Sequence, residues 1–245
     1  MPERLLIVNA DDLGYDPAVT RGILEAMRAG LVTSTTLLVN MPDSEEAARA
    51  AGGAPVGLHL NLARGKPVSA AIPGELLAGG ELSEANAASL PADAVAEEVH
   101  AQLHRAKALL GRQPTHIDVH KHLHRHPAVL DGLCRAAGQH GLPVRAIDAR
   151  MRQAICERGL RTTDDFIGDA GAEAFWTLER LGAELSRLAE GTTELMCHPG
   201  HAPEEIRSGY SAQREVELRT FTDPRALELV RKAGARLGSF ADLPR

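Results

Sequence analysis

An α/β fold, with parallel strands alternating with helices and closing towards a barrel, is the architecture this sequence predicts. Three observations lead to it. Strand-like apolar runs and amphipathic stretches alternate along the whole chain, the pattern that packs parallel strands inside a shell of helices. The 245 residues match the ~250 typical of one such barrel. Asp, Asn and His recur at strand ends, and a barrel gathers its strand ends on one face. One domain over residues 1–245 is expected.

The elements follow in order. Residues 5–8, Leu-Leu-Ile-Val, read as a short buried strand. Asp16 then supplies a helix N-cap and Pro17 the first helical position, and Val19, Ile23, Ala26 and Met27 form an apolar stripe that Gly30 ends. Strands are expected over 33–40 and 56–62, with a short helix over 44–51 that Gly52 and Gly53 terminate. A long helix over 91–110 places Val95, Val99, Leu103, Ala106 and Leu110 on one face, and Gly111 closes it. After a His-rich strand come a helix over 127–140, a strand over 144–147, a helix over 176–189 and a strand over 193–197. An Asp223-capped helix through Ala233 and a strand over 237–240 complete the chain. Residues 63–90 and 199–214 have no clear period and carry Gly and Pro, so they read as loops bordering a site.

Composition narrows the class. With 44% hydrophobic and 24% charged residues the chain is an ordinary globular protein. Its net charge of -6, with signs interspersed, argues against a nucleic-acid partner. No apolar run is long enough to span a bilayer. Arg4 leads directly into Leu5-Leu6-Ile7-Val8 and then acidic residues, with no long apolar leader segment. Cys134, Cys156 and Cys197 match no zinc-knuckle spacing, which fits a reducing compartment. A cytoplasmic protein is expected, with a homodimer left open as its assembly.

The chemistry concentrates between Thr115 and Pro127. His116, Asp118, His120, His122, His124 and His126 occupy every second position there, and five of the chain's eleven His fall in this window. On a strand, His116, Asp118 and His120 share one face. Imidazole with carboxylate is the ligand set of a divalent metal. A polar strand edge would also alternate in this way, but five His in so short a window outweigh it. His116 and His122 are rival ligands to His120, and a helical segment would pair His116 with His120. Asp118 is suited to orient a ligand His through its other ring nitrogen. His124 and His126 read as loop or surface residues. Further strand ends carry Asn9, Asp11 and Asp12, then Asn40, then His59 and Asn61, and finally His198 and His201.

Asp11 and Asp12 allow a division of labour. One carboxylate can bind a metal while its neighbour takes a proton from a metal-acidified water. The plainer reading, a helix cap, is already filled by Asp16. Cys197 beside His198 faces the other side of its strand and reads as a small buried hydrophobe, not a nucleophile.

Several segments together resemble a known family. They are Asn9-Ala10-Asp11-Asp12-Leu13-Gly14, Val32-Thr33-Ser34-Thr35-Thr36 with Asn40, Gly57-Leu58-His59-Leu60, Pro114-Thr115-His116-Ile117-Asp118-Val119-His120-Lys121-His122, and Glu194-Leu195-Met196-Cys197-His198-Pro199-Gly200. In this order they resemble the YdjC-like carbohydrate deacetylases, which include chitooligosaccharide deacetylases and relatives attached to hopanoid pathways. The resemblance implies an irregular (β/α) barrel related to polysaccharide deacetylases, and removal of acetyl from N-acetylated mono- or oligosaccharides or sugar-lipids. It implies one divalent ion, Mg²⁺ or Zn²⁺, on Asp12, His59 and His120. Asp11 would then be the base and His198 the acid or a substrate-binding group. His116, Asp118, His122, Asn9, Asn40, Tyr210 and Arg214 are expected around the ligands or against substrate. Arg64 and Lys121 are further candidates for sugar contact that an exposed loop position would equally explain, and Tyr15, Trp176 and Tyr210 are the aromatics available for stacking. Two alternatives use the same residues: hydrolysis of another amide or a phosphoester, and a non-catalytic sugar- or metal-binding protein.

Overall fold

In the computed structural model, residues 4–243 are described. The longest strand, β1 (Arg4–Leu13), is the axis of the sheet. On one edge it pairs with β6 (Gly191–Cys197), Arg4 opposite Gly191 through Ala10 opposite Cys197. The other edge is shared: β7 (Arg236–Gly238) pairs with Leu5–Ile7, and β2 (Ser34–Leu37) with the half from Asn9 onwards. Beyond β2 lie β3 (Val56–Leu60) and β4 (Ile117–Val119), and beyond β6 lies β5 (Asp165–Ile167). Every pairing is parallel, as strands linked by helical crossovers must be.

Strand alternation divides the core in two. Leu6, Val8 and Ala10 point outward into the large apolar core beneath the helices, while Ile7 packs inside the curled sheet against Phe240 and Leu243. Asn9, Asp11, Thr36, Asp118 and Glu194 share that interior and bond across it.

The helical shell comprises α1 (Pro17–Ala29), α2 (Ser44–Ala51), α3 (Ala92–Leu110), α4 (Pro127–His140), α5 (Ala149–Glu157), α6 (Leu178–Leu185), α7 (Ala212–Thr222) and α8 (Pro224–Lys232). Asp16 caps α1 through Ala18 N at 2.9 Å, and Asp223 caps α8 through Arg225 N. Among the described residues no helix is long and apolar enough to cross a membrane.

Several expected elements are corrected. The strand expected over 144–147 is one bridge, Val144 opposite Ile117, so β4 and β5 remain the ends of the sheet and the barrel does not close. The helix expected over 176–189 is α6, and Trp176 lies before it, fully buried with Nε1 donating to Met196 O. The aperiodic stretch 199–214 already contains the start of α7, whose two buried charged residues, Arg214 and Glu217, break the apolar stripe that marks a helix. Helix α5 and strand β5 had no sequence counterpart. Residues 63–90 carry two 3-10 turns and are anchored from below: Glu98 accepts from Val68 N and Ser69 N, both at 2.8 Å.

Candidate functional site

One register change creates the site. Between Ala10 opposite Thr35 and Leu13 opposite Leu37, β1 carries one residue more than β2. This is a β-bulge, which bends its strand and re-aims a side chain. The extra residue is accommodated at Asp12, with φ 74°. Simple alternation would send Asp11 inward and Asp12 outward; the bulge brings both to the mouth. Just past β4, Lys121 (φ 57°) and His122 (φ 53°) also take left-handed conformations. Among the described residues these three are the only non-glycine positions of that kind. Such strain persists where surrounding structure over-determines it, commonly at functional sites.

Asp12 Oδ1 stands 3.2 Å from His59 Nε2 and 3.1 Å from His120 Nδ1, and the two nitrogens are 3.1 Å apart. Ligand atoms around one ion with bonds of about 2.0–2.2 Å stand about 2.8 to 3.6 Å apart, so this triangle fits a divalent metal. The other Asp12 oxygen is bound by Arg214 Nη2 at 2.5 Å. Burial pushes the Asp12 carboxyl up, yet Arg214 and His120 hold it well below the usual range. Burial alone would depress His59, but Asp118 and Asp12 raise it to about 10. The point between these groups therefore favours positive charge. Burial lowers His120 despite Asp12, leaving a neutral ring able to ligate.

Behind the triangle, Asp118 Oδ1 sits 2.6 Å from His59 Nδ1. A carboxylate there holds a proton on Nδ1, so Nε2, which faces the mouth, is the nitrogen that would exchange its proton for a metal. Thr36 Oγ1 and Arg145 Nη2 hold the other Asp118 oxygen at 2.9 and 3.0 Å.

Asp11 is gripped differently. Arg145 donates Nη1 to Oδ2 and Nη2 to Oδ1, both at 2.7 Å, and Asn9 Nδ2 adds a bond of 2.9 Å to Oδ1. Burial raises this carboxyl, but Arg145 outweighs it and keeps Asp11 ionised far into acid. The same guanidinium reaches Glu194 Oε1 from Nε and Nη2, at 2.8 and 2.6 Å. Burial wins at Glu194, whose carboxyl rises to about 7.

His198 closes the far side. Its Nδ1 is buried without a partner, and burial lowers the ring to about 4 against the pull of Asp11 and Asp12. Its backbone N donates to Glu217 Oε2 at 2.6 Å, and Tyr210 OH donates to Glu217 Oε1 at 2.5 Å. A cleft of about 420 Å³ opens over these groups, lined also by Tyr15, Arg64, Lys121 and Arg207. That volume is in the range of small-ligand sites.

The other sequence-predicted residues lie as follows. Tyr210 and Arg214 line the cleft, and His122 edges it with Nε2 at 3.2 Å from Met196 Sδ. Asn9 lies beneath Asp11. His116 is too deep to join the ligands: it stacks on Phe240 at 3.5 Å. Asn40 departs from expectation, because it faces the loop, taking Asn61 Nδ2 on its Oδ1 and donating to Arg64 O and Lys66 O. His124, expected on a loop or the surface, is buried. Trp176 is walled off from the cleft by its own burial. Cys197 is buried too, its thiol pushed up chiefly by burial. Sequence reasoning missed Arg145, Glu194 and Glu217. A charge inside an apolar strand-like run was the available signal for the first two, in Pro-Val-Arg-Ala-Ile and Thr-Thr-Glu-Leu-Met.

Fold and site together define an open α/β barrel whose strand carboxyl ends gather a cluster able to hold a divalent ion. The sequence profile of the YdjC-like protein family matches residues 5–232, and the chain belongs to that family. It is 37% identical over 257 residues to a protein of Enterobacter sp. (strain 638) named chitooligosaccharide deacetylase, covering 98% of this chain and all of the relative. It is 38% identical over 247 residues to the carbohydrate deacetylase of Geobacillus stearothermophilus, covering 98% of each. Among solved structures, a proposed cellobiose-phosphate cleavage protein of Enterococcus faecalis V583 superposes with a TM-score of 0.87 at 28% identity, covering 98% of each chain. A family 4 acetyl xylan esterase from Clostridium thermocellum, in complex with a cobalt ion, shares the fold with a TM-score of 0.53 at 12% identity, over 97% of this chain and 89% of its own.

Proposed function

We propose that this protein hydrolyses the acetamide of N-acetylated sugars, with one divalent ion held by Asp12, His59 and His120. The observation that carries the proposal is the acid pair: Asp12 leaves Oδ1 between two imidazole nitrogens, while Asp11 beside it has both oxygens on Arg145. The deacetylase names of relatives aligned over 98% of the chain support it. An ion in this triangle supplies Lewis acidity and makes a water acidic near neutrality. Two imidazoles and a carboxylate suit Zn²⁺, and the family also admits Mg²⁺.

The chain's own groups move the protons. Asp11 takes one from the attacking water as the new C–O bond forms. Its pairing with Arg145 fixes its orientation but weakens it as a base. Glu194 and Asp118 offset that cost by drawing on the same guanidinium. His198 serves the leaving nitrogen. At rest the ring is neutral, so the proton it delivers is the one Asp11 has taken from the water, passed to the ring and then to the nitrogen that becomes basic as the C–N bond breaks, which returns both groups to their starting states. The products are acetate and the amino sugar. Tyr210 and Arg214 wall the cleft where a sugar ring would sit.

The test is acetate release from N-acetylglucosamine, chitobiose and acetylated sugar-lipids, with and without chelator, across a metal series. Acetate that stops on chelation and returns with one ion per chain is expected. Phosphate release from phosphorylated sugars without acetate, or turnover that ignores chelation, would overturn the proposal.

A further inference from the structure

A second group of imidazoles lies on the outer surface, where α3 packs against α4. His100 and His104 stand one turn apart on α3, so both project from one face of that helix. His140 is the last residue of α4. His100 Nδ1 and His140 Nε2 are 3.0 Å apart. The His140 ring lies 5.2 Å from that of His100 and 5.9 Å from that of His104, centroid to centroid. His104 is exposed and the other two are half-buried, so water and ions reach all three. A hydrogen bond accounts for the first pair alone. It leaves unexplained the third ring, exposed and edge-on to His140.

We propose that His100, His104 and His140 form a surface site for one borderline-soft divalent ion such as Zn²⁺, bridging α3 and α4. Three features favour it. Three imidazoles with no carboxylate select Zn²⁺, Ni²⁺ or Cu²⁺ over Mg²⁺ and Ca²⁺. The two closest nitrogens already stand at the spacing of ligands that share an ion, and the His104 ring, 5.9 Å from that of His140, would have to turn about its side-chain bonds to bring a nitrogen to them. The carboxyl end of α4, where His140 sits, carries the negative pole of the helix dipole and attracts a cation. Lys107, one turn beyond His104, opposes the charge, but its long stem can turn away into water. The site is separate from Asp12, His59 and His120 in residues and in ion preference. An ion there would tie α4 to the helix whose Glu98 anchors residues 68 and 69.

Equilibrium dialysis of chelator-stripped protein against Zn²⁺, with metal counted per chain, tests the proposal. Wild type should bind one more Zn²⁺ than His100→Gln/His140→Gln, and Asp12→Asn should keep that equivalent. His104→Gln should weaken it about tenfold or more, a lost direct ligand costing at least what loss of a ligand's supporting partner does. Excess Mg²⁺ should not compete. Far-UV circular dichroism of the variants without metal should match wild type, since none of the three rings is fully buried. Equal Zn²⁺ counts in wild type and the double variant would overturn the site. Undiminished affinity in His104→Gln would overturn its three-imidazole form.

Discussion

The two sides of the acid pair make an instructive contrast. Asp11 and Asp12 are adjacent, each is 2% exposed, and each is bound by a buried arginine. On the Asp11 side the arginine takes both carboxylate oxygens and is itself shared with Glu194 and Asp118. On the Asp12 side it takes one oxygen, and the other is left to two imidazoles. The β-bulge at Asp12 produces the difference, because without it the second carboxylate would point away from the mouth. Identical side chains thus acquire different partners from one extra residue in a strand.

The sharpest way to break the contrast is Arg145→Met. It leaves Asp11, Asp118 and Glu194 buried without their common cation. Removing one partner of a buried pair costs about 3–5 kcal/mol, and urea denaturation at pH 7 should show a loss of that size. In protein that still folds, Asp11 should titrate at higher pH, because Arg145 is what lowers it. The acid limb of kcat/KM should move upward with it. An unchanged midpoint and profile would mean that Arg145 does not govern Asp11.

On the Asp12 side the effect should be loss of the ion. His59→Ala and His120→Ala should each weaken metal binding by about tenfold or more, at least what loss of a ligand's supporting partner costs. His122→Ala should leave affinity near wild type, since His122 reaches Met196 and not the triangle. Calorimetric titration compares the three directly. A larger loss in His122→Ala than in His120→Ala would move the centre.

An effect smaller than that of Arg145→Met is expected behind the Asp12 side, at Glu217. Its carboxyl is raised by burial to about 7 from an ordinary 4.5, so between those values the folded chain holds a proton that the unfolded chain lacks. Its contribution to stability is full below pH 4.5 and is lost as pH rises through about 7. Between pH 5 and pH 8 wild type should therefore lose about 2–3 kcal/mol relative to Glu217→Gln. Denaturation midpoints of both proteins at the two pH values measure it. A difference that does not change with pH would place the Glu217 titration outside this window.

How much of this could be read in the sequence follows from how local each signal is. The strand ends at Asp11, Asp12, His59 and His120 were legible because each sits at the edge of an apolar run, and parallel strands bring such edges to one face. The place of Asp118 behind His59 was legible from the two-residue strand period. Arg145 was not, because it meets Asp11 across 134 positions and rests on a segment that makes one bridge. Glu217 lies on a helix whose buried face is partly charged, so no apolar stripe announced it. Asn40 lies three residues past β2 and Asn61 directly after β3, yet they bond each other and a loop, an outcome that residue type beside a strand end does not distinguish from a place in the cleft. The inward turn of Asp12 depends on the bulge, which is a matter of pairing between two strands.

The central claim is that the neighbours divide base and ligand between them, and Asp11→Asn and Asp12→Asn measured side by side test it most directly. Each variant should be assayed for metal affinity by calorimetry and for acetate release. Asp11→Asn should keep the ion and lose about 10²–10⁴-fold in kcat, the usual worth of a general base, with KM little changed. Asp12→Asn should lose the ion itself. Metal loss in Asp11→Asn with retention in Asp12→Asn, or full activity in both, would contradict the account.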